Sequence, residues 1–138
     1  MTSVGPDQLR RIPLLADLTD EALSAVASLT TPFTVRPGHV LVERGQPGSG
    51  MFLIEAGAVE VDLDGSRKVE LGPGEFFGEL SLLTDRHRTA RVHAQTQVTG
   101  LAIGRREFEE LVETQPGLGL AMLRVLAGRL AEAQEPVV

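Results

Sequence analysis

Between residues 33 and 103 the sequence is a series of short apolar stretches, and glycine or proline separates most of them. Stretches of three to six residues are too short for stable helices, whereas strands of this length bounded by turn residues are typical of antiparallel β folds. In residues 59–63, valine and leucine alternate with glutamate and aspartate, which predicts a strand with one buried face. The predicted strands are residues 33–35, 40–44, 51–55, 59–63, 68–71, 91–96 and 98–103.

The turn signals between these strands indicate how they are connected. Asp64-Gly65 predicts a tight hairpin between the fourth and fifth strands. Several short strands at this spacing predict a closed or nearly closed antiparallel β-roll, that is, a jelly-roll β-barrel or double-stranded β-helix. The longest interruption, residues 76–90, lies inside the roll, and Phe76 and Phe77 are predicted to anchor it in the core. Because loops on a rigid scaffold often carry binding residues, we expect the functional site there.

Helices are predicted before the β-roll. Leu9, Ile12 and Leu15 recur at helical spacing within residues 7–30. Thr19 is suited to cap a second helix, because two acidic residues follow it and favour a first helical turn. We expect this helical part to cover one end of the barrel.

Two further helices are predicted after the β-roll. Residues 105–113 place Phe108 and Leu111 on one helical face, and Pro116-Gly117 ends that helix. A longer helix is predicted over residues 118–133. Two heptads are too few to indicate a coiled coil, so we predict that its apolar stripe packs on the barrel. The stripe has 3,4,3 spacing and consists of Leu120, Leu123, Ala127 and Leu130.

Length and composition indicate a single folded unit. A chain of 138 residues with 42% hydrophobic residues is large enough for one core and too small for two. We therefore predict one domain over residues 1–138, mainly β with flanking helices. Its parts are N-terminal helices in residues 1–31, a β-roll in residues 32–104 and two C-terminal helices in residues 105–135.

Cysteine content and charge exclude several classes of protein. The chain has no cysteine, so it has no disulfide framework and no thiolate metal site, and we expect a cytoplasmic location. No run approaches the roughly 18 apolar residues of a membrane span. A net charge of −6 argues against a general nucleic-acid surface. An anionic ligand would need local positive charge, which Arg86, Arg88 and Arg91 can supply against the nearby Asp85.

The stretch FFGELSLLTDRHRTARV, residues 76–92, carries the most distinctive chemistry of the chain. Gly78 allows the backbone to approach a ligand without a Cβ, and residues 79–83 predict a short helix whose first N–H groups attract phosphate. Glu79, when ionised, only accepts hydrogen bonds and therefore suits a sugar hydroxyl. Arg88 offers a planar fork of donors that matches two phosphate oxygens. Together they predict a pocket for a cyclic phosphate ester of a ribose.

The order of residues 77–90 resembles the phosphate-binding cassette of the cyclic-nucleotide-binding domain family, of the catabolite activator protein, protein kinase A regulatory subunit and cyclic-nucleotide-gated channel type. The family pattern is Phe-Gly-Glu-Leu, a small residue, two apolar residues, a variable turn and Arg-Ser/Thr/Ala-Ala. His87 departs from it, because a proline often precedes the arginine. By this resemblance Glu79 binds the ribose 2′-hydroxyl and Arg88 binds the cyclic phosphate.

The resemblance also implies the remaining ligand contacts and the ligand itself. The backbone N–H groups of Leu80 and Ala90 would contact the nucleotide, and Gly78 would bring main chain close to the ribose. Thr89 matches the position where a hydroxyl touches the phosphate or the guanine amino group. Ser81, the small residue of the motif, completes the expected set. The implied ligand is cyclic AMP, with cyclic GMP as the alternative, and no cofactor or metal is expected.

The family uses its last helix as a moving lid over the base, which implies a base contact near Gln134. We predict that ligand binding moves the cassette, and that Leu82 or Leu83 passes the movement to Phe108 and Leu111. The last helix is also the expected contact for dimerisation or for an effector domain. The resulting interpretation is a regulatory sensor with no catalytic residue.

Other functions compete with this interpretation. A module of the same fold that binds no nucleotide would serve as an interaction domain, although both charged cassette residues are present. A cupin-type metalloenzyme would need closely spaced histidines, whereas His39, His87 and His93 are scattered. Residues 45–51, GQPGSGM, lack the Lys-Ser/Thr ending and the following helix of a Walker phosphate loop. We therefore predict that the chain is not an enzyme.

Overall fold

The computed structural model describes residues 6–48, 50–63, 66–84 and 86–133. In these segments the chain forms two four-stranded antiparallel sheets, with strand orders β1-β8-β3-β6 and β2-β7-β4-β5. None of the helices in the same segments combines the length and the hydropathy that a membrane span requires. The strands are β1 (Thr31–Val35), β2 (Val40–Val42), β3 (Gly50–Ala56), β4 (Val59–Asp62), β5 (Lys68–Leu71), β6 (Phe76–Phe77), β7 (Arg91–Ala94) and β8 (Val98–Gly104).

The two sheets share an apolar core. Val42, Val59 and Val92 come from one sheet, Ile54 and Val98 come from the other, and all five are buried in one cluster. The predicted mainly β class with flanking helices and antiparallel strands is confirmed. The hydrogen-bonded ladders of the described residues nevertheless form two separate sheets, so the roll is not a closed barrel.

The interruption at residues 76–90 contains a strand that the pattern did not predict. Phe76–Phe77 forms β6, which pairs with Phe52 and Leu53 of β3. Both phenylalanines are buried, as predicted. A strand of two residues has no detectable alternation, so only its pairing partner reveals it. The predicted Asp64-Gly65 turn lies outside the described residues, although β4 and β5 on either side of it pair as expected.

The N-terminal part forms α1 (Pro6–Leu9), a 3₁₀ turn (Pro13–Leu15) and α2 (Asp20–Leu29). Thr19 caps α2 as predicted, because its Oγ1 accepts a hydrogen bond from the backbone N–H of Ala22 at 3.1 Å. These elements cover the outer face of one sheet, which corrects the expectation that they would close an end of the barrel. Their apolar residues share a cluster with Met51 and Leu53 of β3, whose alternate residues face the other core.

A short helix, α3 (Glu79–Leu83), lies within the interruption. The C-terminal part forms α4 (Arg105–Thr114) and α5 (Pro116–Ala133), which pack together on the same cluster. The predicted packing stripe of α5 was wrong. Leu123 is 63% exposed, and Leu120, Ala127 and Leu130 are exposed as well. The buried residues of α5 are instead Leu118 and Met122. Because α5 is apolar on more than one face, its sequence period could not select the face that meets α4 and the N-terminal turn.

Candidate functional site

Gly78 forms the junction between β6 and the short helix α3 (Glu79–Leu83), which occupies the predicted residues. Its φ is +89°, a backbone angle that side-chain-bearing residues rarely adopt. A Cβ at this position would also lie 2.9 Å from Nη1 of Arg88 and 3.1 Å from the carbonyl oxygen of Gly50. Glycine is therefore required at residue 78 both by its backbone angle and by the close approach of an arginine.

Arg88 reaches back across the cassette to this junction. Its Nη1 donates a hydrogen bond to the carbonyl oxygen of Gly78 at 3.0 Å, and its Nη2 donates to the carbonyl oxygen of Gly50 at 3.0 Å. Burial lowers the pKa of the Arg88 guanidinium, while the nearby Glu79 carboxylate acts in the opposite direction. An arginine carries five N–H donors, so these two bonds leave donors for an anion. An anion at this point would offset the cost of burying the charge.

Glu79 is the first residue of α3, and it is only 8% exposed. Its Oε1 accepts a hydrogen bond from Nη1 of Arg129 on α5 at 3.1 Å. The Nη2 of Arg129 donates to the carbonyl oxygen of Phe76 at 2.6 Å, and the guanidinium lies 4.5 Å from the centroid of the Phe76 ring. One arginine of the last helix is thus tied to the cassette at three points.

Arg129 was missed by sequence reasoning. The buried face of α5 begins with Leu118 and Met122, continues through the partly buried Val125 and Leu126, and reaches Arg129 one helical turn later. A cation that continues an apolar helical face is an unusual position for a surface charge. The signal existed, but the predicted apolar stripe lay on a different face of α5.

The C-terminal end of α3 is bound by a residue of α4. The Nη2 of Arg105 donates to the carbonyl oxygens of Ser81 at 2.7 Å and Thr84 at 3.2 Å. Such carbonyls at a helix C-terminus have no partner within the helix, so a cation there is stabilising. Sequence reasoning also missed this contact. Each of the two C-terminal helices therefore contacts the cassette through an arginine.

The other predicted ligand residues differ in burial. Ser81 is buried at 2% exposure, and Ala90 is also buried. Leu80 and Thr89 are exposed. Gly78, Glu79 and Arg88 are brought together at the start of α3, whereas Thr89 and Ala90 follow on the chain leading into β7. The structure thus brings Gly78, Glu79 and Arg88 together, and the ligand contacts of the full predicted set stay a prediction.

The charges around the cassette divide into two groups. Arg86 and Arg91 are exposed, as predicted, and Arg91 pairs with Glu43 at 3.4 Å on the surface. Arg88 is the arginine of the cassette that turns inward to the glycine junction. Asp85 and the proposed base-contact region around Gln134 lie outside the described residues. In the part of the chain that is described, no three histidine or acidic side chains cluster as metal ligands would.

Comparison with known proteins identifies related sequences and structures. A sequence model of the family described as "Cyclic nucleotide-binding domain" matches residues 32–115. The cAMP-dependent protein kinase regulatory subunit of Colletotrichum orbiculare is 35% identical over 114 residues, which cover 81% of this chain and 29% of that protein. The Thermus thermophilus catabolite activator protein has a TM-score of 0.77 at 29% identity, covering 88% of this chain and 59% of that chain.

A cAMP-binding acyltransferase from Mycobacterium smegmatis has a TM-score of 0.78 at 29% identity, covering 92% of this chain and 41% of that chain. The curated relatives are named mainly as kinase regulatory subunits and potassium channels, and a few are named as enzymes. This chain spans less than a third of the length of the first of them, between 27% and 31%. With the cassette, the two-sheet fold and the match over residues 32–115 in agreement, this chain belongs to the cyclic nucleotide-binding domain family.

Proposed function

We propose that the domain binds cyclic AMP at the cassette and works as a regulatory module rather than as an enzyme. The observation that carries this proposal is the convergence of a partly buried guanidinium and a buried carboxylate at the start of α3. A 3′,5′-cyclic nucleotide presents one negatively charged phosphate and one free hydroxyl on the same sugar. The two side chains match these two groups in charge and in hydrogen-bonding type.

Arg88 binds the ring phosphate through the N–H groups that Gly78 and Gly50 do not use. Glu79 accepts the ribose 2′-hydroxyl through Oε2, because its contact with Arg129 uses Oε1. A bond from a neutral hydroxyl to a buried carboxylate is charge-assisted and discriminates against a sugar without that hydroxyl. The pair therefore selects a cyclic ribonucleotide over other small phosphates.

The remaining cassette residues shape the pocket around these two anchors. The backbone N–H groups of Leu80 and Ala90 face the phosphate in the proposed complex. Gly78 allows the main chain to approach the ribose, because glycine carries no Cβ. Ser81 is a small buried residue of α3, and the exposed Thr89 adds a hydroxyl at the edge of the site.

The cAMP-dependent kinase regulatory subunit and the cAMP-binding acyltransferase support cyclic AMP by their names, whereas a 32% identical structural neighbour titled for a cyclic-GMP-dependent pathway keeps cyclic GMP as the alternative. Calorimetric titration of the 138-residue chain with each nucleotide tests this choice. We expect saturable binding of one cyclic AMP per chain and weaker binding of cyclic GMP. Absence of heat with both nucleotides at about 1 mM, where even a weak site with an affinity near −4 kcal/mol would respond, would favour the interaction-domain alternative.

We also propose that binding is transmitted to the C-terminal helices. Leu82 of α3 is buried in the same cluster as Phe108 and Leu111, whereas Leu83 is 51% exposed, so Leu82 is the residue that connects them. Arg129 and Arg105 add polar connections from α3 to both C-terminal helices. A ligand that contacts Glu79 therefore acts on a carboxylate that already holds α5, and this shared contact couples the site to the helix.

Hydrogen exchange tests the transmission step. Cyclic AMP should change the protection of backbone amides in residues 105–133 as well as in the cassette. An effect confined to the cassette would contradict transmission while leaving nucleotide binding intact.

The exposed stripe of α5, which includes Leu120 and Leu123, offers a surface to a second copy or an effector domain of a cytoplasmic protein. Sedimentation velocity with and without cyclic AMP would detect self-association through it.

A further inference from the structure

The glycine-rich loop of residues 45–48, together with Gly50 at the start of β3, lies directly against Arg88. The backbone N–H of Gly45 donates to the carbonyl oxygen of Arg88 at 2.9 Å, and the backbone N–H of Arg88 donates to the carbonyl oxygen of Gln46 at 2.9 Å. Two reciprocal bonds of this kind fix the loop and residue 88 relative to each other, as in a strand ladder. This loop lacks the Walker motif, but it is hydrogen-bonded to the residue that is proposed to bind phosphate.

The side chain of Arg88 runs along the same loop. Its backbone is bonded at residues 45 and 46, and its Nη2 reaches the carbonyl oxygen of Gly50 at 3.0 Å. Gly48 lies between these two attachment points. The guanidinium thus lies over Gly48, with its Nη1 extended toward Gly78.

Gly48 has no space for a side chain in this arrangement. A Cβ at this residue would lie 2.6 Å from Nη2 of Arg88, and closer still to its Nε and Cζ atoms. Among the described residues, the glycines with positive φ are Gly38, Gly45, Gly57, Gly74 and Gly78, so the backbone angle of Gly48 does not itself require glycine. Alanine could adopt the backbone conformation of Gly48, but it could not coexist with the guanidinium in its present position.

All three atoms nearest to that Cβ belong to the flexible end of Arg88, and none belongs to the backbone. An added methyl group would therefore be accommodated by moving the guanidinium, at little cost to the fold. The same movement would break the hydrogen bonds to Gly50 and Gly78 that aim the donors. Small displacements of a bidentate donor are costly for recognition, because both of its bonds depend on direction.

We infer that Gly48 is a positioning residue for ligand binding, whose missing side chain reserves the space in which the guanidinium of Arg88 is aimed at the phosphate. Because this role rests on the proposed function, the test must separate the two. The variant is Gly48→Ala in the 138-residue chain, and the matched control is Gly72→Ala. Gly72 also lacks a positive φ, and a Cβ there would meet only a carbonyl oxygen of Gly57 at 3.9 Å.

We expect Gly48→Ala to weaken cyclic AMP binding by about tenfold or more, and Gly72→Ala to change it by less than about twofold. Both variants should keep the melting temperature of the wild type within a few degrees. A loss of folding in Gly48→Ala would overturn the inference, because it requires the guanidinium, and not the backbone, to give way. Unchanged affinity would overturn it as well.

A double-mutant cycle shows whether Gly48 acts through Arg88. In an Arg88→Leu background, Gly48→Ala should cost less than about twofold in affinity, because no guanidinium remains to be displaced. An equal loss in both backgrounds would mean that the loop itself contacts the ligand, and would overturn the positioning role. If Arg88→Leu alone leaves affinity unchanged, the proposed function fails at its phosphate contact.

A measurement without ligand separates failure of the positioning role of Gly48 from failure of the proposed nucleotide binding. The Nε–H resonance of Arg88, assigned by its absence in Arg88→Leu, reports the position of the guanidinium in nitrogen-15 spectra. It should shift in Gly48→Ala and stay in place in Gly72→Ala. An unmoved resonance in Gly48→Ala would overturn the inference whatever the affinity does.

Discussion

Replacing Arg129 with alanine should detach α5 from the cassette. The substitution removes the bond to Oε1 of Glu79 at 3.1 Å, the bond to the carbonyl oxygen of Phe76 at 2.6 Å, and the stacking of the guanidinium over the Phe76 ring. It leaves Glu79 with its negative charge largely out of water. Both the lost contacts and the uncompensated carboxylate oppose folding.

The expected loss of stability follows from the exposure of the two partners. Breaking a fully buried ion pair costs about 3–5 kcal/mol, whereas an exposed pair contributes about 0–1 kcal/mol. The side chain of Arg129 is 29% exposed and that of Glu79 is 11% exposed, so the pair lies between these two limits. We expect a decrease of about 2 kcal/mol in the free energy of unfolding.

Urea denaturation measures this decrease as a lower midpoint with an unchanged slope. Arg124→Ala is the matched control, because Arg124 is an exposed arginine of the same helix, and it should change stability by less than about 0.5 kcal/mol. Arg129→Lys should fall between the two, because an ammonium lacks the planar fork that bridges a carboxylate and a carbonyl. Equal midpoints for Arg129→Ala and Arg124→Ala would refute the role of Arg129 in holding α5.

The other cassette residues give three further predictions. Arg88→Leu should weaken cyclic AMP binding by about 1.5–3 kcal/mol in calorimetry, and an unchanged affinity would show that Arg88 does not bind the phosphate. Glu79→Ala should weaken cyclic AMP but hardly affect 2′-deoxy cyclic AMP, whereas equal losses would exclude the hydroxyl contact. Leu82→Ala should lower stability in urea by about 2–5 kcal/mol, and the exposed Leu83→Ala by less than about 0.5 kcal/mol, because only Leu82 is buried.

Local signals predicted the elements whose ends are marked by particular residues. Thr19 followed by acidic residues located the start of α2, and the glycine at 78 located the start of α3. These signals work because a cap or a left-handed turn is a property of a few consecutive residues. β6 has no such mark, since its two residues are a strand only by virtue of pairing with β3.

The same distinction holds for the site. The order of residues identified the cassette, because its glycine, acid and arginine lie within about ten residues of one another and a short helix and turn can bring them together. The sequence could not reveal which groups Arg129 and Gly48 contact. Arg129 lies 50 residues from its partner Glu79, and the role of Gly48 depends on where the side chain of Arg88 folds back. Contacts between distant parts of the chain depend on how the whole fold packs.

By itself, the sequence determined the strand-rich class, the limits of α3 and the charged groups of the cassette, because turn residues, caps and side-chain chemistry act locally. Only the tertiary structure decided that the sheets stay separate, that Leu118 and Met122 rather than Leu120 and Leu123 face the core, and that two C-terminal arginines hold the cassette. The physical reason is that an apolar helix can bury more than one face. Its neighbours, and not its own period, select the face that loses contact with water.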